Sequence, residues 1–245
     1  MTESPDFTPA GRERRHATSD GAMLVDEAVA PDFDEPHFDP EYWRARGALS
    51  VASGGRGTVF FAHTAGGDWA LRHYHRGGVV GRWLDDVYLW QGADRTRAFR
   101  EWRLLAHMHE AGLPVPRPVA ARYRRRGPVY TADLVTLRIP GAEPLSRRLA
   151  RATAPADIWR RIGACVRRFH DAGVYHADLS AHNLLVDDAG TVHVLDFDRG
   201  RLRGDGGWKA ANLARLERSL AKIRREDPRT PRADWSALLA AYTRT

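Results

Sequence analysis

Asp178, Asn183 and Asp196 are side chains of the types that phosphoryl transfer requires. That chemistry needs a carboxylate to take a proton from an attacking hydroxyl. It also needs an amide oxygen to hold a magnesium ion, and a second carboxylate to bridge the ion to nucleotide phosphates. Asp178 and Asn183 lie five residues apart in HADLSAHN (His176–Asn183), and Asp196 follows thirteen residues later in LDFD. Two short strand candidates follow Asn183, LLV (184–186) and TVHVLDF (191–197), separated by the turn residues DDAG. A strand pair folding back on that turn returns Asp196 to the side of Asn183. Taken singly, such residues cap turns. The ordered string H-x-D-L-x-x-x-N followed by D-F, after an apolar helix, is far more specific. Its reading is a hydroxyl kinase in which Asp178 is the catalytic carboxylate and Asn183 and Asp196 hold the metal. His176 reads as a structural brace of the loop through backbone hydrogen bonds, and His182 has no role that its position implies.

A kinase also needs a phosphate loop, and a basic side chain paired with a glutamate on a helix. GGRGTV supplies Gly55 and Gly57 but lacks the third glycine of G-x-G-x-x-G, so alone it fits a plain hairpin turn equally well. The next strand reads WALR, which puts Arg72 where a lysine is expected. The only lysines are Lys209 and Lys222, so arginine is the sole cation available there. A guanidinium can bind phosphate oxygens bidentately, with a geometry different from that of an ammonium. Glu101, on the following helix, borders the apolar face and is the expected partner of Arg72. The plain alternative is that both are ordinary surface charges.

These residues need elements to hold them. FDPEYW starts a helix, with Asp39 as cap and Pro40 in the first turn. VASGGRGTVFFAH and DWALRHYH read as a three-stranded meander, followed by a loop with Gly77, Gly78 and Gly81. In DRTRAFREWRLLAHMHEAG, Phe99, Trp102, Leu105 and Met108 recur at helical spacing and Gly112 ends the run. LPVPRPVAARY and GPVYTADLVTLRI form a second hairpin around RRRG. Beyond the crossover GAEPLSRRLA the chain turns helical, with Ile158, Ile162, Cys165 or Val166, and Phe169 on one face. The order predicts an α+β fold of two lobes with a cleft between them. The expected divisions are a disordered acidic tail over 1–36, a nucleotide-binding N-lobe over 37–139 and a catalytic C-lobe over 140–245.

Composition bounds the partners. Residues 1–40 hold ten acidic residues against three arginines, whereas the whole chain carries +7. The body is therefore strongly basic and favours anionic partners, although a GC-rich genome also yields many arginines. No recognised base-stacking motif accompanies the charge, so nucleic acid is not an expected partner. Cys165 is the single cysteine, which excludes an internal disulfide and a cysteine metal site and fits a reducing cytoplasm. The N-terminal residues lack an apolar signal core, and ALLAAY is far shorter than the roughly 20 residues that span a bilayer. Nothing in the sequence sets an oligomeric state.

ALRHYHRGG, FREWRLLAHM, GLPVPRPVAAR, FHDAGVYHADLSAHNLLVDDAG, VLDFDRGRLR and WKAANLARLERSL together resemble the 3-deoxy-D-manno-octulosonic acid (Kdo) kinases. These are lipopolysaccharide kinases of Gram-negative bacteria, and the likeness covers about residues 37–225. The resemblance implies a bilobal protein-kinase-like fold and transfer of the γ-phosphate of ATP, with Mg2+, to the 4-hydroxyl of a Kdo sugar on a lipid A precursor. It implies work at the cytoplasmic face of the inner membrane, peripherally, against an anionic surface. By matching position it assigns Asp178 as catalytic, Asn183 and Asp196 as metal ligands, and Arg72 as the ATP-contacting cation. Asp198 stands where protein kinases have the glycine of D-F-G. It reads either as a second metal contact or as the partner of Arg199 or Arg201 in an ion pair. The absence of an A-P-E segment removes the platform for a peptide substrate. RYRRRG (Arg122–Gly127) and RGRLR (Arg199–Arg203) are candidate contacts to an anionic acceptor or membrane. Two alternatives stand beside this reading: a related kinase of heptose or another small molecule, and a catalytically dead, basic lipid-binding protein.

Overall fold

A computed structural model of the chain describes residues 13–54, 57–74, 87–152 and 154–244. Its strands are β1 (Glu13–Ala17), β2 (Gly21–Asp26), β3 (Leu49–Gly54), β4 (Gly57–Thr64), β5 (Gly67–His73), β6 (Tyr88–Leu89), β7 (Pro118–Arg126), β8 (Val129–Leu137), β9 (Glu143–Pro144), β10 (Val174–Tyr175), β11 (Leu184–Val186), β12 (Val192–Val194) and β13 (Arg201–Leu202). Its helices are α1 (Pro40–Arg44), α2 (Arg97–Glu110), α3 (Leu145–Ala150), α4 (Ile158–Asp171), α5 (Trp208–Glu226) and α6 (Trp235–Thr243). The fold is α+β, with a strand-rich first half and a mostly helical second half. The described residues up to His107 pack with Arg117–Arg138 as one unit, and Met108–Pro116 pack with the residues from Ile139 onward as the other.

The first unit is an antiparallel sheet in the order β1-β2-β7-β8-β5-β4-β3, with β6 paired to β8. Residues 13–36 were expected within a disordered tail, and the structure corrects this for the stretch that it describes. β1 pairs β2, and β2 pairs β7 from Gly21↔Arg124 to Val25↔Ala120. Met23 and Val25 enter a core with Phe33, Phe38, Trp43, Trp69 and Leu71. The strand shows no alternation in sequence because both of its faces are covered: Ala22, Met23, Leu24 and Val25 are all buried. Gly21 is required by close approach, since a Cβ there would lie 2.1 Å from the carbonyl oxygen of Tyr123. α1 begins as the sequence predicts, with the Asp39 carboxylate accepting from Glu41 N–H at 2.9 Å and Pro40 in the first turn.

An ionic ladder crosses three strands of this sheet. His73, Asp133 and Arg122 are cross-strand neighbours on β5, β8 and β7. His73 Nδ1 lies 2.6 Å and Arg122 Nε 2.9 Å from the two Asp133 oxygens. Burial opposes the charge on Asp133, but the imidazole and guanidinium outweigh it and hold the carboxyl below its ordinary range. Arg122 was expected among the exposed arginines of the hairpin. It is buried instead, because a buried carboxylate directly opposite must be paired.

In the second unit, α4 buries Ile158, Ile162, Cys165, Val166 and Phe169, as its periodicity predicts. Gly163 lets α6 approach closely, since a Cβ at that position would sit 2.1 Å from Leu238 O. β11 and β12 pair in register around the turn 187–190, with Leu184 opposite Val194 and Val186 opposite Val192. No helix of the described residues is long and apolar enough to cross a membrane.

Candidate active site

The loop from His176 to Asn183 connects β10 to β11, and a network of backbone and side-chain bonds fixes it. His176 lies at its centre, 3% exposed, with its ring edge-on to Phe197 at 4.7 Å. Its Nδ1 accepts from the Asp178 N–H at 3.0 Å. A ring nitrogen that accepts from a backbone amide carries no proton, so Nε2 is the protonated nitrogen and donates to Leu195 O at 2.7 Å. One imidazole thus ties the backbone of Asp178 to the residue before Asp196. Burial pushes its pKa down, which keeps the ring in this neutral form. The bracing role expected of His176 is what the geometry gives.

Asn183 closes the same circuit. Its side-chain Nδ2 donates to Asp178 O at 2.9 Å, and its backbone carbonyl accepts from Leu195 N–H at 2.8 Å. The strand pair therefore brings the segments of Asp178, Asn183 and Asp196 together, as their spacing predicts. Asp196 has φ +64°, one of two non-glycine residues in the left-handed region among the described residues. That conformation costs on the order of 1–3 kcal/mol and persists only where its surroundings impose it. The two hydrogen bonds to Leu195 fix the residue that precedes it. Asp178 and Asp196 are exposed, and Asn183 is half-buried.

Magnesium prefers oxygen ligands, keeps several waters and takes only one or two carboxylates from a protein. The donor set fits. With Nδ2 committed to Asp178 O, the Asn183 Oδ1 has no partner among the described residues, and Asp196 is an exposed carboxylate of the hard-oxygen type that magnesium takes.

α5 supplies what the sequence reading did not foresee. Asn212, Arg215, Leu216 and Ser219 fall on one face of it, at helical spacing. Asn212 exchanges two hydrogen bonds with the backbone of His176, and Ser219 Oγ accepts from Ala181 N–H at 3.2 Å. Arg215 Nη1 donates to Asp178 Oδ1 at 2.8 Å. Leu216 is fully buried between these polar contacts. The only trace in the sequence was polar residues recurring on the buried side of an otherwise surface-like helix.

In the sheet-rich unit, Arg72 and Glu101 meet with Nη1 2.9 Å from Oε1. Glu101 is 2% exposed, not a residue at the helix edge, and its second oxygen accepts from Tyr74 Oη at 2.5 Å. The Arg72 guanidinium also lies 4.7 Å from the centre of the Tyr74 ring. Tyr74 was missed because one aromatic residue in a strand reads as core. Gly57 opens β4, while Gly55 and the glycine loop after His75 lie outside the described residues. β13 pairs with β10 and sets the Arg201 guanidinium 5.5 Å from the centre of the Tyr175 ring.

The lipopolysaccharide kinase (Kdo/WaaP) family matches the chain over residues 40–242. Three relatives, each named 3-deoxy-D-manno-octulosonic acid kinase, show the same likeness over most of their length. One from Stenotrophomonas maltophilia strain R551-3 is 44% identical over 207 residues, covering 84% of this chain and 82% of the relative. One from strain K279a of that species is 42% identical over 224 residues, with 91% and 89% covered. One from Vibrio parahaemolyticus is 40% identical over 209 residues, with 85% and 88% covered.

Proposed function

Since the chain belongs to the lipopolysaccharide kinase (Kdo/WaaP) family, and is thus a kinase, we propose that it transfers the γ-phosphoryl group of ATP to the 4-hydroxyl of a Kdo sugar on a lipid A precursor. The observation that carries this reading is the circuit of hydrogen bonds through His176, which joins Asp178, Asn183 and the residue before Asp196.

Asp178 accepts the proton of the sugar hydroxyl as its oxygen attacks phosphorus. Its exposure leaves it accessible to an acceptor, and Arg215 holds its carboxylate in one orientation. Asn183 and Asp196 would hold Mg2+, which when bound neutralises charge on the nucleotide phosphates. Arg72, backed by Glu101 and Tyr74, binds phosphate oxygens of ATP. Gly55 and Gly57 let backbone approach those phosphates. The enzyme works peripherally at the cytoplasmic face of the inner membrane. The exposed arginines Arg125 and Arg126 at the β7–β8 turn are suited to an anionic surface.

The test is to incubate the protein with ATP, magnesium and a Kdo-bearing lipid A precursor and to locate the new phosphate by mass spectrometry. A gain of one phosphate on the Kdo 4-hydroxyl is expected. A heptose acceptor and an aminoglycoside run in parallel separate the related small-molecule kinases. ATP consumption with none of the three acceptors would sink the sugar-kinase assignment.

A further inference from the structure

Tyr175 immediately precedes His176, and its ring carries two cations. The guanidinium of Arg203 lies 4.0 Å from the ring centre and that of Arg201 5.5 Å away. The platform is rigid. β10 pairs with β13 through Val174↔Leu202 and Tyr175↔Arg201, and Arg203 N–H donates to Gly173 O at 2.7 Å. Trp208 also meets the ring, edge-on at 5.8 Å, and is anchored by its own Nε1 donating to Gly204 O at 2.7 Å.

Neither Arg201 nor Arg203 has a carboxylate partner among the described residues. The nearby Asp205 is taken by Lys209 at 2.5 Å. Two like charges stacked on one ring without a counter-ion repel each other, and a stacked guanidinium keeps its N–H edge directed outward for bidentate bonding. A single carboxylate is filled by one such fork. A phosphate monoester carries close to two charges on three terminal oxygens and matches two forks.

We propose that Arg201 and Arg203, stacked on Tyr175, form a subsite for a phosphate group of the lipid acceptor, next to the loop that carries Asp178. The subsite rests on the kinase reading for its role, but its binding chemistry is separable from turnover. It selects phosphorylated acceptors and holds the sugar end within reach of the catalytic loop.

The test compares the full chain with the double variant Arg201→Gln/Arg203→Gln. Co-sedimentation uses neutral phosphatidylcholine vesicles carrying the Kdo-bearing lipid A precursor, the same lipid after removal of its phosphates, or phosphatidylglycerol at equal charge density. The wild-type chain should bind the phosphorylated precursor roughly 10- to 100-fold more tightly than the dephosphorylated one, the scale of one or two charge-assisted contacts. The double variant should lose that preference and bind phosphatidylglycerol as the wild type does. Tyr175→Leu, which keeps both charges but removes their platform, should lose part of the preference. In turnover, KM for the precursor should rise by the same factor while KM for ATP stays unchanged. Retention of the preference by the double variant overturns the subsite, and so does an equal loss of phosphatidylglycerol binding. If the preference depends on the two arginines but the wild-type chain transfers no phosphate, the subsite stands and the kinase reading fails.

Discussion

Asn212 grips the backbone of His176 from both sides: its Nδ2 donates to His176 O at 2.9 Å, and its Oδ1 accepts His176 N–H at 3.2 Å. All four groups are buried, so the pair acts as a fixed joint between α5 and the loop from His176 to Asn183. Asn212→Ala leaves a buried donor and a buried acceptor unsatisfied, each costing about 1–3 kcal/mol. Urea denaturation should show a loss of that order, with activity falling further than the folded fraction does. Unchanged stability would mean that the joint is replaced by water at no cost.

The contact of Arg215 with Asp178 is exposed, so it should contribute about 1 kcal/mol or less to stability. Its value lies in orientation. Arg215→Gln should leave the melting temperature nearly unchanged while lowering kcat. Asp178→Asn should lower kcat by about 10²- to 10⁴-fold with ATP affinity intact, the usual size of a lost general base. Full activity of Asp178→Asn would remove its proposed role.

Tyr74 and Arg72 share the buried carboxylate of Glu101. Tyr74→Phe removes one donor from a buried charge, at a cost of about 1–3 kcal/mol. If Arg72 contacts nucleotide, Arg72→Ala should raise KM for ATP and leave KM for the sugar acceptor alone. Arg72→Lys should restore only part of the loss, because a lysine cannot offer the same fork. Equal effects of Arg72→Ala on both KM values would point to a structural role.

Asp133→Asn strips the counter-charge from Arg122, which is buried beside it. Removing one partner of a buried pair costs about 3–5 kcal/mol. Thermal melting should reveal it even though the position is remote from Asp178 in sequence. A loss below about 1 kcal/mol, the scale of an exposed pair, would show that the ladder is solvated.

Acid should loosen the helical unit. Burial pushes the His170 imidazole down to about 4, from an ordinary value of 6.5, and pushes His176 down as well. As pH falls below about 6.5 the unfolded chain takes up protons that the folded rings refuse, so the folded state loses stability down to the folded pKa. The melting temperature should therefore drop between pH 7 and pH 5, a range above most carboxylate titrations. His170→Gln should flatten the slope. A flat profile in the unsubstituted protein would contradict buried neutral rings.

Local chemistry settled much of this protein in one dimension. Asp39 and Pro40 start a helix because a cap and a first-turn proline need only their neighbours. α2 and α4 follow from apolar spacing. The tight turn between β11 and β12 brings Asn183 and Asp196 together because a hairpin joins residues close in sequence. Relations between distant segments carry no such local mark. The β1–β2 hairpin joins the sheet through β7, about a hundred residues on, and its two-sided burial erased the alternation that reveals a strand. Arg122 reads as one more arginine in a basic run, and only the register of β7 against β8 sets it on Asp133. Asn212, Arg215 and Ser219 become partners of the His176–Asn183 loop because packing brings one face of α5 against it. Residue types and short spacings determine what chemistry is possible, whereas burial and long-range register decide which side chains brace it, since both depend on contacts that the linear order does not contain.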